Sequence, residues 1–212
     1  GMDQQIWIEF GAVAVAHMLA VASPGPDFTL ILRQSLRFGR ATARRSAMGI
    51  GCGILVHVTY AVLGLGLIFR NSATAFDMLR WAGAVYLIWL GWLSIRSEGM
   101  DRAELQGIDE AAAQPGSWRR GFLTNVLNPK AALFFITLYA VVVNPETSKW
   151  VQGMFGLWMA AWTALWFTFV AMVFTRPTWR QGYARMSGWI DRALGLVFWG
   201  FALNLLWQQV GR

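Results

Sequence analysis

The sequence predicts an all-α polytopic membrane protein with six transmembrane helices, on three observations. Hydrophobic residues fill 56% of the 212 positions and charged residues 14%, with 13 Trp, a balance too apolar for a soluble domain of that length. Six windows, approximately 6–32, 46–69, 78–95, 121–143, 151–174 and 189–207, hold apolar runs. Each reaches the roughly 18 or more residues that cross about 30 Å of hydrocarbon as a helix. Arginine is concentrated between alternate windows, as a membrane topology requires.

The first window follows Asp3 and carries Glu9, with no Lys or Arg before the apolar run, so it does not read as a cleavable signal peptide. It contains His17 and is broken by Ser23-Pro24-Gly25-Pro26-Asp27. There Pro26 suits the first turn of a new half-helix, Gly25 or Ser23 the turn before it, and Asp27 the exposed amides that follow. The second window starts slim, with Ala47, Gly49, Gly51, Cys52 and Gly53. The four-residue spacing of Gly49 and Gly53 favours close helix packing over a pore lining, and permits a homodimer without demanding one. His57 lies midway along this span beside Thr59 and Tyr60.

The third window ends before a hydrophilic stretch at 97–117, which reads as a solvated linker between two halves. The fourth is interrupted by Asn125-Val126-Leu127-Asn128-Pro129-Lys130. Here Asn128 is a good N-cap and Pro129 a good first helical residue. In the fifth, Trp158, Trp162 and Trp166 recur every four residues on one face, a pattern that favours packing over substrate stacking. Trp7, Trp118, Trp150 and Trp207 stand near span ends, where an interfacial belt is expected.

With six spans, the segments after spans one, three and five contain 13 of the 18 basic residues. The other side has Arg70, Arg80, Lys149 and Arg212. Both termini are therefore expected outside, in the periplasm, and the arginine-rich segments in the cytoplasm. The net charge of +7 is accounted for by topology, so no nucleic-acid partner is expected. Cys52 is the single cysteine, which excludes an intrachain disulfide and dithiol chemistry, and the two histidines show no metal-site spacing.

The expected organisation is a three-helix repeat at 1–96, a cytoplasmic linker at 97–117 and a second three-helix repeat at 118–212. Three spans per half force the second half to enter from the opposite side, giving a 3+3 inverted repeat with broken helices at spans one and four. A shift of 103 places Pro26-Asp27 on Pro129-Lys130. A shift of 112 places Arg80, Gly83, Val85 and Tyr86 on Arg192, Gly195, Val197 and Phe198.

The breaks are the candidate site. Proline and glycine inside a span free backbone groups, and a charge at membrane depth costs about 2.5–3.5 kcal/mol, so such positions line polar cavities. Asp27 is stabilised beside a helix start, whereas Lys130 adds a cation to the positive end of the dipole. Its cost is offset by Asp27 from the other half, by a bound anion, or by deprotonation. Half-helix starts and Lys130 offer a place for a carboxylate, and Asp27 with freed carbonyls a place for an ammonium, which together suit a zwitterionic amino acid. Asn125 and Asn128 are placed to orient it. His17, seven residues before Pro24 and on about the same face, is either a proton relay or an interhelical hydrogen-bond partner, and His57 has the same two readings. A metal-ion exporter would need more inward acids or histidines. A membrane enzyme is disfavoured because Ser23 and His17, six apart, point to different helix faces.

At Ser23-Pro24-Gly25-Pro26-Asp27-Phe28, at Gly49–Gly53 and at Gly121–Ala131 the chain resembles the LysE/RhtB amino-acid exporters, over residues 8 to about 207. His17 and the Arg180-Gln181-Gly182-Tyr183 and Trp189-Ile190-Asp191 stretches resemble the threonine efflux branch. The resemblance implies secondary export of threonine, homoserine and similar neutral amino acids across the bacterial inner membrane, in exchange for protons and without a cofactor. The motif positions it carries over are Pro24, Gly25, Pro26, Asp27, Asn128, Pro129 and Lys130. No Gly-x-x-x-x-Gly-Lys-Ser/Thr loop is present, in keeping with a gradient as the energy source.

Overall fold

Prolines and caps set the helix boundaries in this computed structural model, which describes residues 1–101 and 115–211. Eight helices are found among the described residues: α1 (Met2–Ala22), α2 (Pro26–Phe38), α3 (Arg40–Asn71), α4 (Ala73–Ile95), α5 (Trp118–Val126), α6 (Pro129–Val141), α7 (Lys149–Val173) and α8 (Pro177–Val210). Pro26, Pro129 and Pro177 each occupy the first turn of a helix, where the missing N–H costs nothing. Gly39, at φ 90°, makes the sharp corner between α2 and α3 that a side chain would strain. Ser72, Ser117, Asn128 and Ser148 cap the helices that follow them through their side chains.

Five helices (α1, α3, α4, α7 and α8) are long and apolar enough to cross a membrane. The pair α5 and α6, bent by 62° at a short break, brings the count to six when taken as one span. The fourth window is thus interrupted where its asparagine and proline predict. The first window differs in register. α1 reaches 21 residues before Ser23, so the first break falls after a helix already long enough to span, and α2 continues past the window to Phe38. The helices also outrun the apolar windows at their arginine-rich ends. Arg40, Arg44 and Arg45 lie inside α3, Arg119 and Arg120 inside α5, and Arg180 and Arg185 inside α8. Hydropathy marks where a helix meets lipid, whereas arginine is itself a good helix former and carries the helix onward. Most of the linker expected at 97–117 lies outside the described residues.

α3 packs most extensively on α7 and α5, and α4 on α8. Small residues allow the α3 contacts. A Cβ on Gly49 would overlap the carbonyl of Trp118, one on Gly53 would meet Asn125 Oδ1 at 2.6 Å, and one on Gly51 would meet Ala164 Cβ at 2.9 Å. The glycine face read as slim is therefore covered by α5 and α7 of the same chain. Two apolar clusters follow. One holds Val13, Ile54, Leu87, Phe135, Met159 and Phe198 across the body of the bundle. The other gathers Phe28, Ile31, Ile50, Phe167, Val170 and Tyr183 where α2 meets α3, α7 and α8. The two breaks lie between them.

Candidate functional site

Each proline in a break leaves the carbonyl four residues before it without its helical donor, because proline has no N–H. For Pro26 that carbonyl belongs to Ala22, and the Tyr183 hydroxyl from α8 donates to it at 2.6 Å. For Pro129 it belongs to Asn125. His57 Nε2 donates to it at 2.9 Å, and the Asn128 N–H also donates, at 3.0 Å. Since a carbonyl only accepts, His57 carries its proton on Nε2, and neutral Nδ1 accepts from the Tyr60 hydroxyl. His57 is fully buried, stacks on Phe135 with 5.6 Å between ring centroids, and satisfies the broken backbone from behind the cavity. Of its two expected readings, the interhelical hydrogen bond describes its contacts.

Between the breaks lies a cavity of about 90 Å³ lined by both motifs. Pro24, Gly25, Pro26 and Asp27 supply one wall and Asn125, Asn128 and Lys130 another, with His17, Thr163, Phe134, Phe135 and Phe198 closing it. It is small beside the roughly 300–1,000 Å³ of drug-sized ligand sites. Asn125, 1% exposed, donates from Nδ2 to Asp27 Oδ2 at 2.9 Å. Asn128 caps α6 by accepting the Lys130 backbone N–H on Oδ1 at 3.0 Å, and it also faces the cavity. Pro129 takes the first position of α6 and lines the neighbouring groove rather than the cavity itself.

Three buried polar atoms around this cavity have no partner among the described residues: Asp27 Oδ1, Asn125 Oδ1 and His17 Nδ1. Buried polar groups are nearly always paired, so three unpaired ones on one cavity make it the candidate binding site. His17, 1% exposed, shares its other nitrogen, Nε2, with the Thr163 hydroxyl at 3.0 Å. Two of the three atoms are carboxylate or amide oxygens, which accept, and so suit an ammonium group.

The direct Asp27–Lys130 ion pair, one of three ways to offset the lysine, is not formed. Lys130 makes no ion pair among the described residues and its side chain is exposed, at the mouth of the cavity. Beyond it the cavity joins a wider groove of about 670 Å³ between α4 and α6. One residue of that groove escaped the sequence reading as a site residue. Asp191 of α8, 8% exposed, accepts from the Ser23 hydroxyl at 2.5 Å and from the Ser97 hydroxyl at 2.6 Å. Its sequence signals were an acid at the start of an apolar window and its place in the Trp189-Ile190-Asp191 stretch, neither of which assigns it a role in the site. Thr163 carried none, because a threonine inside a span is ordinary.

The threonine efflux proteins of Escherichia coli K12 and Salmonella typhi are each 35% identical over 202 residues, covering 93% of this chain and 97% of theirs. The homoserine/homoserine lactone efflux protein of Salmonella typhi is 30% identical over 141 residues, 66% of this chain and 68% of its own length. No solved structure matches the chain. The model of the LysE type translocators matches residues 18–209, and the chain belongs to that family: it is a multi-pass membrane translocator and not an enzyme.

Proposed function

We propose that this protein is a secondary exporter of neutral amino acids of the threonine and homoserine kind, driven by a proton gradient across a bacterial inner membrane. The observation that carries the reading is the cavity on which Asp27 Oδ1, Asn125 Oδ1 and His17 Nδ1 converge beside Lys130. An amino acid fits this set end for end. Its ammonium meets the two free oxygens, its carboxylate meets Lys130 and the start of α6, and its side-chain hydroxyl meets His17 and Thr163. The names of the relatives, threonine efflux and homoserine efflux, favour the same class.

Export then follows from alternating access about this cavity. The helices that correspond in the two halves, α3 with α7 and α4 with α8, pack on each other, as mates in an inverted repeat do when they flank its axis. The groove beyond Lys130 is bordered by Ser97, Gly99 and Met100, on the side that the arginines mark as cytoplasmic, which provides a loading route. Both termini then lie in the periplasm. Asp27 exchanges a proton for the ammonium group as the cavity changes sides, so the gradient supplies the work and no cofactor takes part.

Cells lacking their own threonine exporters and expressing this protein, fed a threonine-containing dipeptide, are expected to release threonine to the medium faster than cells with an empty vector. Equal release, with the protein shown in the membrane, would refute the reading.

A further inference from the structure

Lys130 stands where the inner cavity meets the outer groove and lines both, while the two acids nearby divide between them: Asp27 faces only the cavity and Asp191 only the groove. Asp191 is a buried carboxylate with no Lys or Arg paired to it among the described residues. Its two oxygens are held by hydroxyl donors from different parts of the chain, Ser23 ahead of the first break and Ser97 after α4. Ser97 is itself fixed, because its hydroxyl oxygen accepts the Gly99 N–H at 3.0 Å. The next turn is locked too, as the Met100 N–H donates to the Ser187 hydroxyl at 2.8 Å, one helical turn before Asp191. Two neutral donors hold the carboxylate in place without neutralising it, and each oxygen retains capacity to accept another bond.

We infer that Asp191 forms a second, outer ammonium station, so that an amino acid is received with its carboxylate at Lys130 and its ammonium at Asp191, then pivots about Lys130 to place the ammonium at Asp27. This deepens the exporter reading and rests on it. The pivot needs no release of the carboxylate, since Lys130 serves both spaces, and Ser23, Pro24, Gly25 and Ser94 form a wall common to the two. Ser23 is also bonded to Asp191, so arrival of an ammonium there acts on the residue that begins the first break.

The test compares Asp191→Asn with the unaltered protein in proteoliposomes, measuring threonine transport from the groove side and its inhibition by 3-hydroxybutyrate, which keeps the carboxylate and hydroxyl but lacks the amine. Asp191→Asn is expected to raise the threonine KM about 10-fold or more. Because 3-hydroxybutyrate never used the carboxylate, the preference for threonine over it should fall by a similar factor. Asp191→Glu should keep that preference, and Asp191→Ser replaces the amide variant if the latter does not fold. An unchanged preference in a neutral variant, with the unaltered protein transporting threonine, overturns the outer station alone. Failure of the unaltered protein to transport any neutral amino acid overturns the exporter reading and this inference with it.

Discussion

Asn125 donates its side-chain amide to the carboxylate of Asp27 across 2.9 Å, joining the last turn of α5 to the first turn of α2. The same residue's carbonyl, left by Pro129, accepts from His57. One asparagine therefore ties together both breaks and the helix that packs behind them. A charged acceptor makes such a bond worth about 1.5–3 kcal/mol.

Asn125→Ala should lower transport by about tenfold or more and reduce stability by about 1–3 kcal/mol. The Asp27→Asn and Asn125→Ala pair should be non-additive by more than about 0.5 kcal/mol in thermal unfolding of the detergent-purified protein. Additive effects would show that the two side chains act independently.

Pro129→Ala restores an N–H that can bond the Asn125 carbonyl in helical register and competes with His57 for it. The variant should be at least as stable as the parent in thermal unfolding, yet transport about tenfold more slowly, because the bend of 62° between α5 and α6 is what exposes the start of α6 to the cavity. Parent-like transport would remove the break from the mechanism.

The helices were legible in the sequence because lipid demands long apolar runs, and the breaks because proline cannot be hidden in one. Asn128 as a cap and the close packing of Gly49 and Gly53 were legible for the same local reasons. The partners were not. Nothing in a single sequence says that Asn125 rather than Lys130 meets Asp27, since opposite charges on two motifs suggest a pair and the position of each helix start decides otherwise. Asp191 has Ser23 and Ser97 as partners, 168 and 94 residues away in the chain, a relation that only the packing of α8 creates. Tyr183 as the donor that replaces the lost helical bond at Ala22 was equally out of reach, because hydroxyl donors abound and the orphaned carbonyl does not name one.

His17 is expected to set the preference for a hydroxylated side chain. A site that bonds a substrate hydroxyl rejects the analogue lacking it, because its own polar groups are then left unpaired. His17→Leu should therefore lower threonine transport relative to valine transport by about 10- to 100-fold, measured as the ratio of kcat/KM values. An unchanged ratio would place the hydroxyl elsewhere.

Gly49→Ala should destabilise the protein by about 1–3 kcal/mol, an overpacking cost, since the added methyl is directed at the Trp118 backbone carbonyl, which cannot rotate away. Gly11→Ala, where nothing lies within 4 Å of the new atom, is the control inside α1 and should raise stability by about 0.5–1 kcal/mol, as a better helix former does. Equal effects from the two would mean that α3 and α5 do not approach as closely as described.

Asp27 is proposed to couple amino-acid movement to protons inside the cavity between the breaks. Purified protein in liposomes, with threonine flux followed with and without an imposed pH gradient, tests it most directly. The expected result is flux that the gradient accelerates in the unaltered protein and leaves unaffected in Asp27→Asn. Gradient-driven threonine flux of equal rate in Asp27→Asn, or no threonine flux in the unaltered protein, would contradict it.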